Sequence, residues 1–260
     1  MDDSSQHLDP HRTALITGAT SGIGAEFARQ LAAQGRHLIL VARDSERLAQ
    51  TAAELEDAYN IHAETLVADL LTEAGQEAVE QRLDSDIDPV ELLVNNAGFG
   101  LRGTFAENEW EAERDHWRIH TEVPLRLSHV ALRSMLRRGG GRIINVASVA
   151  AFTPRGTYSA AKIAMANFSR WAQLHYAGSG VAVTALCPGF TRTEFHERMG
   201  QDVGRFPKFA WLRAEDVVRV GLSDSAAGKA ISVPSARYKV ARVATQLMPG
   251  PVLERMVRRR

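Results

Sequence analysis

Tyr158 and Lys162 stand four residues apart in the run Thr157-Tyr158-Ser159-Ala160-Ala161-Lys162, so a helix through them sets both side chains on one face. A lysine beside a phenol favours the phenolate and lowers a pKa that starts near ~10. Such a tyrosine exchanges a proton with an alcohol or carbonyl oxygen. Ser148 closes an apolar run, Gly141–Ser148, and is placed to donate a hydrogen bond to that same oxygen. Tyr-x3-Lys by itself is common on helices. It gains weight from two earlier turns, Gly18-Ala19-Thr20-Ser21-Gly22-Ile23-Gly24 and Asn95-Asn96-Ala97-Gly98. In the first, glycines let the backbone turn sharply and bring a pyrophosphate to a helix N-terminus, where unbonded N–H groups and the dipole favour anions. Its spacing is Gly-x3-Gly-x-Gly rather than the commoner GxGxxG, and an ordinary tight turn is the alternative.

Cofactor choice turns on Arg43. An acid near this point would bind the ribose 2′-hydroxyl of NAD, whereas an arginine accommodates the 2′-phosphate of NADP. Ala42 precedes Arg43, Ser45 is close by, and Asp44 reads as the cap of the following helix. A solvated arginine is the alternative.

These residues must be positioned by alternating strands and helices. Apolar runs at 13–18, 37–42, 63–69, 90–98, 141–148, 181–187 and 230–233 read as strands. Helical spacing is expected over 22–35, 45–59, 72–83, 110–138 (kinked at Pro124) and 158–176. The fold class is therefore α/β, a single-domain Rossmann-type doubly wound parallel sheet of about seven strands with helices on both faces. Ligands of such sheets sit beyond the carboxyl ends of the strands, which is where the unusual residues fall.

The 260 residues suffice for one large domain. Lys+Arg and Asp+Glu total 31 each, which disfavours a globally basic nucleic-acid binder. One cysteine, Cys187, excludes an intrachain disulfide framework and any multi-cysteine metal cage. The polar start of the chain and the lack of a long apolar run make a cytoplasmic location the expectation. Residues 1–11 read as a polar tail, 12–234 as the dinucleotide-binding catalytic domain and 235–260 as a basic amphipathic helical extension. From Arg237 to Arg260 seven basic residues face one acid, so this stretch carries +6 and the remainder −6. Val240, Ala241, Ala244, Leu247 and Met248 share a face there. Packing against the domain or another subunit is the stronger reading of that face, and an anionic membrane surface the weaker one.

Together these motifs make the chain resemble the short-chain dehydrogenase/reductases over roughly residues 12–233. The resemblance implies that Tyr158 is the catalytic acid/base, that Ser148 polarises the oxygen, and that Lys162 holds the nicotinamide ribose. It implies a cofactor bed of Gly18, Thr20, Ser21, Gly22, Ile23, Gly24 and Arg43, with Asp69 and Leu70 at the adenine. Asn96, Ala97 and Gly98 would flank a ribose, and Pro188, Gly189, Thr191 and Thr193 would meet the nicotinamide. NADP is the expected cofactor and a carbonyl or alcohol the small-molecule substrate. Phe195, Met199, Phe206, Phe209 and Trp211 resemble the family's substrate lid, which would make the substrate apolar or bulky; simple core packing is the equal alternative. The family also implies a homodimer or homotetramer packed through the long helices. An NAD-linked alcohol dehydrogenase and a catalytically silent dinucleotide-binding regulator are the alternatives.

One departure stands out. The family's fourth catalytic residue is an asparagine in the long helix, and His120 occupies its place. That asparagine acts in the family through a main-chain carbonyl on a distorted helix, so the imidazole is expected to be incidental. Pro124, four residues on, offers no N–H to the His120 carbonyl. His116 and His120, with Glu113, have metal-ligand spacing. The expectation is no metal, with one histidine buried at an edge and the other exposed.

Overall fold

Seven short apolar runs form strands β1 (Thr13–Thr17), β2 (Leu38–Ala42), β3 (Ala63–Val67), β4 (Val90–Asn95), β5 (Gly141–Val146), β6 (Val181–Leu186) and β7 (Ile231–Ser232). They make one parallel sheet in the order β3-β2-β1-β4-β5-β6-β7. The computed structural model describes residues 13–193 and 208–246, together with Gly250, Val252 and Glu254. The polar tail 1–11, Phe195, Met199, Phe206, Leu247, Met248 and the arginines at 255 and 258–260 lie outside the described residues.

Strands of a sheet covered on both sides are buried along their length, which is why they read as unbroken apolar runs. On one face α1 (Gly22–Ala32), α2 (Ser45–Tyr59) and a later helix, Ala214–Ala226, set Phe27, Leu48 and Val218 against Ile16, Leu40 and Val94. On the other, α3 (Glu73–Asp84) and α5 (Val123–Arg138) set Val79, Leu127 and Met135 against Leu15, Ile39 and Leu93. Asp44 caps α2 by accepting from the Arg47 N–H at 3.0 Å, and Thr72 caps α3 through Gly75 N–H at 3.1 Å. Among the described residues no helix is long and apolar enough to cross a membrane.

The long helix expected over 110–138 is interrupted, but not at Pro124. It runs as α4 (Trp110–Trp117), one π-turn over Arg118–Glu122, and then α5. The Val123 N–H closes the wide turn on the Arg118 carbonyl. Pro124 falls in the first turn of α5, where a missing N–H does no harm. The π-turn is thus the local distortion, and His120 sits at its centre.

A buried polar layer crosses the sheet beneath its carboxyl end. Asn95 and Asn145 are register partners on β4 and β5, and Asn95 Nδ2 donates to Asn145 Oδ1 at 2.8 Å. Asn95 Nδ2 also reaches Ser128 Oγ at 3.1 Å, and Asn145 Nδ2 donates to Ser169 Oγ at 2.9 Å. Ser128 lies on α5 and Ser169 on α6 (Gly156–His175), so the layer fixes both helices to the strands.

Thr17 makes the corresponding joint between β1 and β4. Its Oγ1 accepts from the Asn96 N–H at 2.9 Å and the Ala97 N–H at 3.0 Å, while its hydroxyl donates to the Val94 carbonyl at 3.3 Å. Thr17→Val keeps the shape and leaves two backbone N–H groups without that acceptor. Urea unfolding is expected to show a loss of about 2–4 kcal/mol. A loss below about 0.5 kcal/mol would show that the joint is redundant.

Candidate active site

The glycine turn leaves β1 and enters α1. Asn96 reaches back over it, its Nδ2 donating to the Thr17 carbonyl at 2.9 Å and the Gly18 carbonyl at 3.2 Å. Gly24 has to be bare: a Cβ there would lie 2.1 Å from the Gly18 oxygen and 2.4 Å from Asn96 Nδ2. Ser21 precedes α1 in extended conformation with no side-chain cap bond. The first-turn N–H groups therefore face outward beside the turn, as an anion cradle needs. Thr20, Ser21, Gly22 and Ile23 are all partly exposed along this rim.

Arg43 follows β2 and is exposed, and no described residue hydrogen-bonds or ion-pairs with its guanidinium. Asp44, its neighbour, is engaged as the α2 cap. Asp69 Oδ1 accepts from the Leu71 N–H at 3.0 Å, shaping the turn into α3, while Leu70 is buried in the core. A strap completes the rim. Pro188 accepts from the Val149 N–H at 3.0 Å, and Thr191 is bonded to the Gly189 carbonyl at 3.0 Å and pairs with Leu212. Thr193 comes so close that a Cβ on Gly22 would meet it at 3.1 Å.

Above the strand ends stand Ser148, Tyr158 and Lys162. Ser148 Oγ accepts the Ala150 N–H at 3.1 Å, capping the short turn Val149–Phe152, and the Ser148 and Tyr158 side chains are hydrogen-bonded. On α6, small buried residues such as Ala161 and Ala166 let the helix lie close to the sheet. Lys162, one turn after Tyr158, donates to the Val146 carbonyl at 2.7 Å, with its ammonium 5.6 Å from the Tyr158 ring centre.

The electrostatics correct one expectation. Burial pushes the Tyr158 hydroxyl up to about 12, and the hydrogen bond with Ser148 offsets only part of this. Burial likewise brings Lys162 down to about 8. Desolvation, not the lysine charge, dominates here, so Tyr158 is a phenol at neutral pH.

Two ring contacts of Tyr158 are not read from the sequence, His116 at 5.9 Å and His120 at 5.4 Å, and Phe99 packs on both histidines. Contrary to expectation both histidines are buried, at 1% and 3% exposure. Their rings lie 4.6 Å apart, and His120 meets the Tyr158 ring edge-on at 5.4 Å. His120 Nε2 lies 2.7 Å from the Phe99 carbonyl, which only accepts, so Nε2 carries the proton. A Cβ on Gly98 would sit 2.3 Å from His120 Cε1. The glycine is thus the signal for a bulky side chain at this place, and the imidazole has the structural task of anchoring the loop after β4. Glu113 is turned to Asn108 Nδ2 at 2.8 Å and Thr157 Oγ1 at 2.7 Å. Among the described residues no group of three His, Cys, Asp or Glu side chains is placed to hold a metal. A small, partly open cavity of about 10 Å³, about one water in size, touches His120, Lys162, Asn95 and Asn145.

Of the expected lid, Trp211 packs at 5.8 Å from the Phe190 ring and Phe209 is 72% exposed.

Comparison with known proteins places this geometry among relatives. The short chain dehydrogenase family matches residues 12–204. The chain is 34% identical over 233 residues to the short-chain reductase protein NovJ of Streptomyces niveus, covering 85% of this chain and 86% of NovJ. It resembles a short-chain dehydrogenase from Sphingobium yanoikuyae, solved in complex with NADPH, with a TM-score of 0.82 and 34% identity over 90% of this chain and 93% of that one. It also resembles the bulky-bulky ketone specific alcohol dehydrogenase of Comamonas testosteroni, with a TM-score of 0.78 and 28% identity over 95% of each chain.

The two buried histidines make stability depend on pH. Burial, first among the causes, lowers His116 to about 4 and holds His120 well below its ordinary value. Between about 6.5 and 4 the unfolded chain binds protons that the folded one does not, so stability falls as pH drops through this window. The slope is expected to reach ~1.4 kcal/mol per pH unit for each histidine. Urea midpoints in wild type and His116→Leu measure it. The leucine variant should lose the steeper part, and superimposable curves would contradict the assignment.

Proposed function

Since the chain belongs to the short-chain dehydrogenase/reductase family, we propose that it is an NADP(H)-dependent oxidoreductase interconverting a carbonyl and a secondary alcohol, with Tyr158 as its acid/base. The observation that carries this reading is the meeting of Ser148, Tyr158 and Lys162 beside a glycine cradle at the carboxyl ends of parallel strands.

The residues present fit a dinucleotide. The bare Cα of Gly24 and the uncapped start of α1 suit a pyrophosphate. Arg43, with no acid competing for it, suits a 2′-phosphate, and the relative solved with NADPH supports the same choice. Lys162 spends one N–H on Val146 and has two more for ribose hydroxyls. Gly18, Asn96 and Thr193 shape the bed. The bound nicotinamide supplies or takes the hydride.

The chain's own part is to manage the substrate oxygen. Ser148 Oγ accepts the Ala150 N–H and its side chain is hydrogen-bonded to Tyr158, so a carbonyl oxygen taken up between the two hydroxyls would meet a donor from each. Tyr158, held as a phenol, donates its proton to that oxygen as the carbonyl is reduced. The Lys162 ammonium stabilises the phenolate left behind. His120 lines the same small cavity as Lys162, in a π-turn whose carbonyl gets no N–H from Pro124, so a proton path through the main chain is compatible with histidine here. Phe190 and Trp211 beside the strap favour an apolar substrate. The exposed Trp117, Ile163, Trp171 and Leu174 on the long helices support a homodimer or homotetramer.

Two measurements test the reading. Tyr158→Phe keeps the ring and removes the proton donor, so kcat should fall at least ~100-fold while NADPH affinity changes little. Retention of most activity would assign the chemistry elsewhere. Titration of both cofactors should show NADPH at least tenfold tighter than NADH, a difference of about 1.4 kcal/mol. Arg43→Ala should erase that preference, and equal affinities in the wild type would overturn the choice of NADP.

A further inference from the structure

The helix that follows β7, Ala236–Gln246, turns its aromatic side to the domain, while Val240, Ala241 and Ala244 are exposed. On the inner side Tyr238 touches two stretches of chain at once. Its hydroxyl donates to the Ala210 carbonyl at 2.7 Å and accepts from the Phe190 N–H at 3.2 Å. Its ring takes the place of a side chain at Gly189, where a Cβ would lie 2.1 Å from it. Between the same two stretches the backbone makes a short parallel pairing. The Leu212 N–H donates to the Phe190 carbonyl at 2.7 Å, and the Arg192 N–H donates to the Leu212 carbonyl at 3.1 Å. The Tyr238 hydroxyl thus closes the end of this pairing with one more bond to each side. Arg237, beside it, donates to the Trp211 carbonyl at 3.2 Å.

The strap fastened in this way reaches both halves of the site. At its start the Pro188 carbonyl accepts from the Val149 N–H, next to Ser148. At its far end Thr193 lies against the cradle, 3.1 Å from where a Cβ on Gly22 would stand. We propose that Tyr238 is a positioning residue: by pinning the strap from behind, it holds residues 188–193 over the nicotinamide end of the cofactor. The inference rests on the reading of the site as one for NADP(H), and adds to it a residue that acts through the strap backbone. A strap already fixed in the free protein spends no ordering entropy when the cofactor arrives. Without the hydroxyl, the Phe190 N–H and the Ala210 carbonyl lose that shared partner, and binding has to order the strap. The loss falls on the end of the cofactor that the strap meets. The adenosine end belongs near Arg43, after β2, which has three strands between it and β6.

The test is a binding measurement on full-length protein, read without turnover. Isothermal titration calorimetry compares NADPH with adenosine 2′,5′-bisphosphate, a fragment that lacks the nicotinamide. Both are titrated into wild type and into Tyr238→Phe, which keeps the ring over Gly189 and removes the hydroxyl. In the variant the NADPH dissociation constant should rise at least ~5-fold, about the net worth of one hydrogen bond. The bisphosphate should change by less than ~2-fold, because its site does not depend on the strap. A merely structural role would weaken both ligands alike. Equal losses for the two, or no loss for NADPH, overturn the positioning role and leave the cofactor reading standing. A wild type that binds neither ligand overturns both. If Tyr238→Phe does not fold, Arg237→Ala releases the Trp211 carbonyl of the same pairing and is titrated in the same way. A loss of at least ~2-fold confined to NADPH is then expected, and an equal or absent loss overturns the proposal.

Discussion

The close approach of β1 and β4 at their carboxyl ends governs the rest of the structure. The Thr17 hydroxyl joins the two strands, and the Asn96 amide holds the carbonyls of Thr17 and Gly18 from above. That clamp leaves no room for a Cβ at Gly24, so the backbone of the turn must be glycine where it meets the start of α1. One constraint thus yields the cradle, the entry angle of α1 and the place where the strand order reverses between β1 and β4. Crevices at such reversals are where open parallel sheets take ligands.

A second constraint brings the reacting side chains to that crevice. Asn95 and Asn145 pair across β4 and β5 and reach Ser128 and Ser169, fixing α5 and α6 in register with the strands. Because α6 is held at Ser169, Lys162 and Tyr158 arrive about two and three turns further up, level with Ser148 just past the end of β5. The buried amides cost desolvation unless they are paired, which makes the layer specify one arrangement rather than several. The phenol then sits against the rings of His116 and His120, where burial keeps it protonated.

The strands were legible in the sequence because a sheet covered on both faces demands continuous apolar runs, as in Leu38–Ala42. The glycine turn, Asp44 as a cap, and the Tyr158–Lys162 pair were legible because each is local. What stayed hidden depends on distant partners. A π-turn adds one residue to a helix whose apolar period still reads as continuous, so Pro124 drew the attention that belonged to Arg118–Glu122. The burial of His120 depends on Gly98, some twenty residues earlier in the chain. Which way the apolar face of the helix Ala236–Gln246 turns was open in the sequence, because Tyr238 on Gly189 and Arg242 on Phe152 fix the opposite side against distant residues. The Tyr158 shift was misjudged because adjacency to Lys162 shows in a sequence and burial does not.

The central claim is that Tyr158 is a buried phenol poised to donate a proton. Its ionisation is measured most directly as the tyrosinate ultraviolet absorbance of wild-type enzyme minus that of Tyr158→Phe, followed across alkaline pH. The account predicts no difference signal at the ordinary tyrosine value near ~10, and a rise only toward about 12. A difference signal that titrates below ~10 would show a tyrosine already disposed to phenolate and would contradict it.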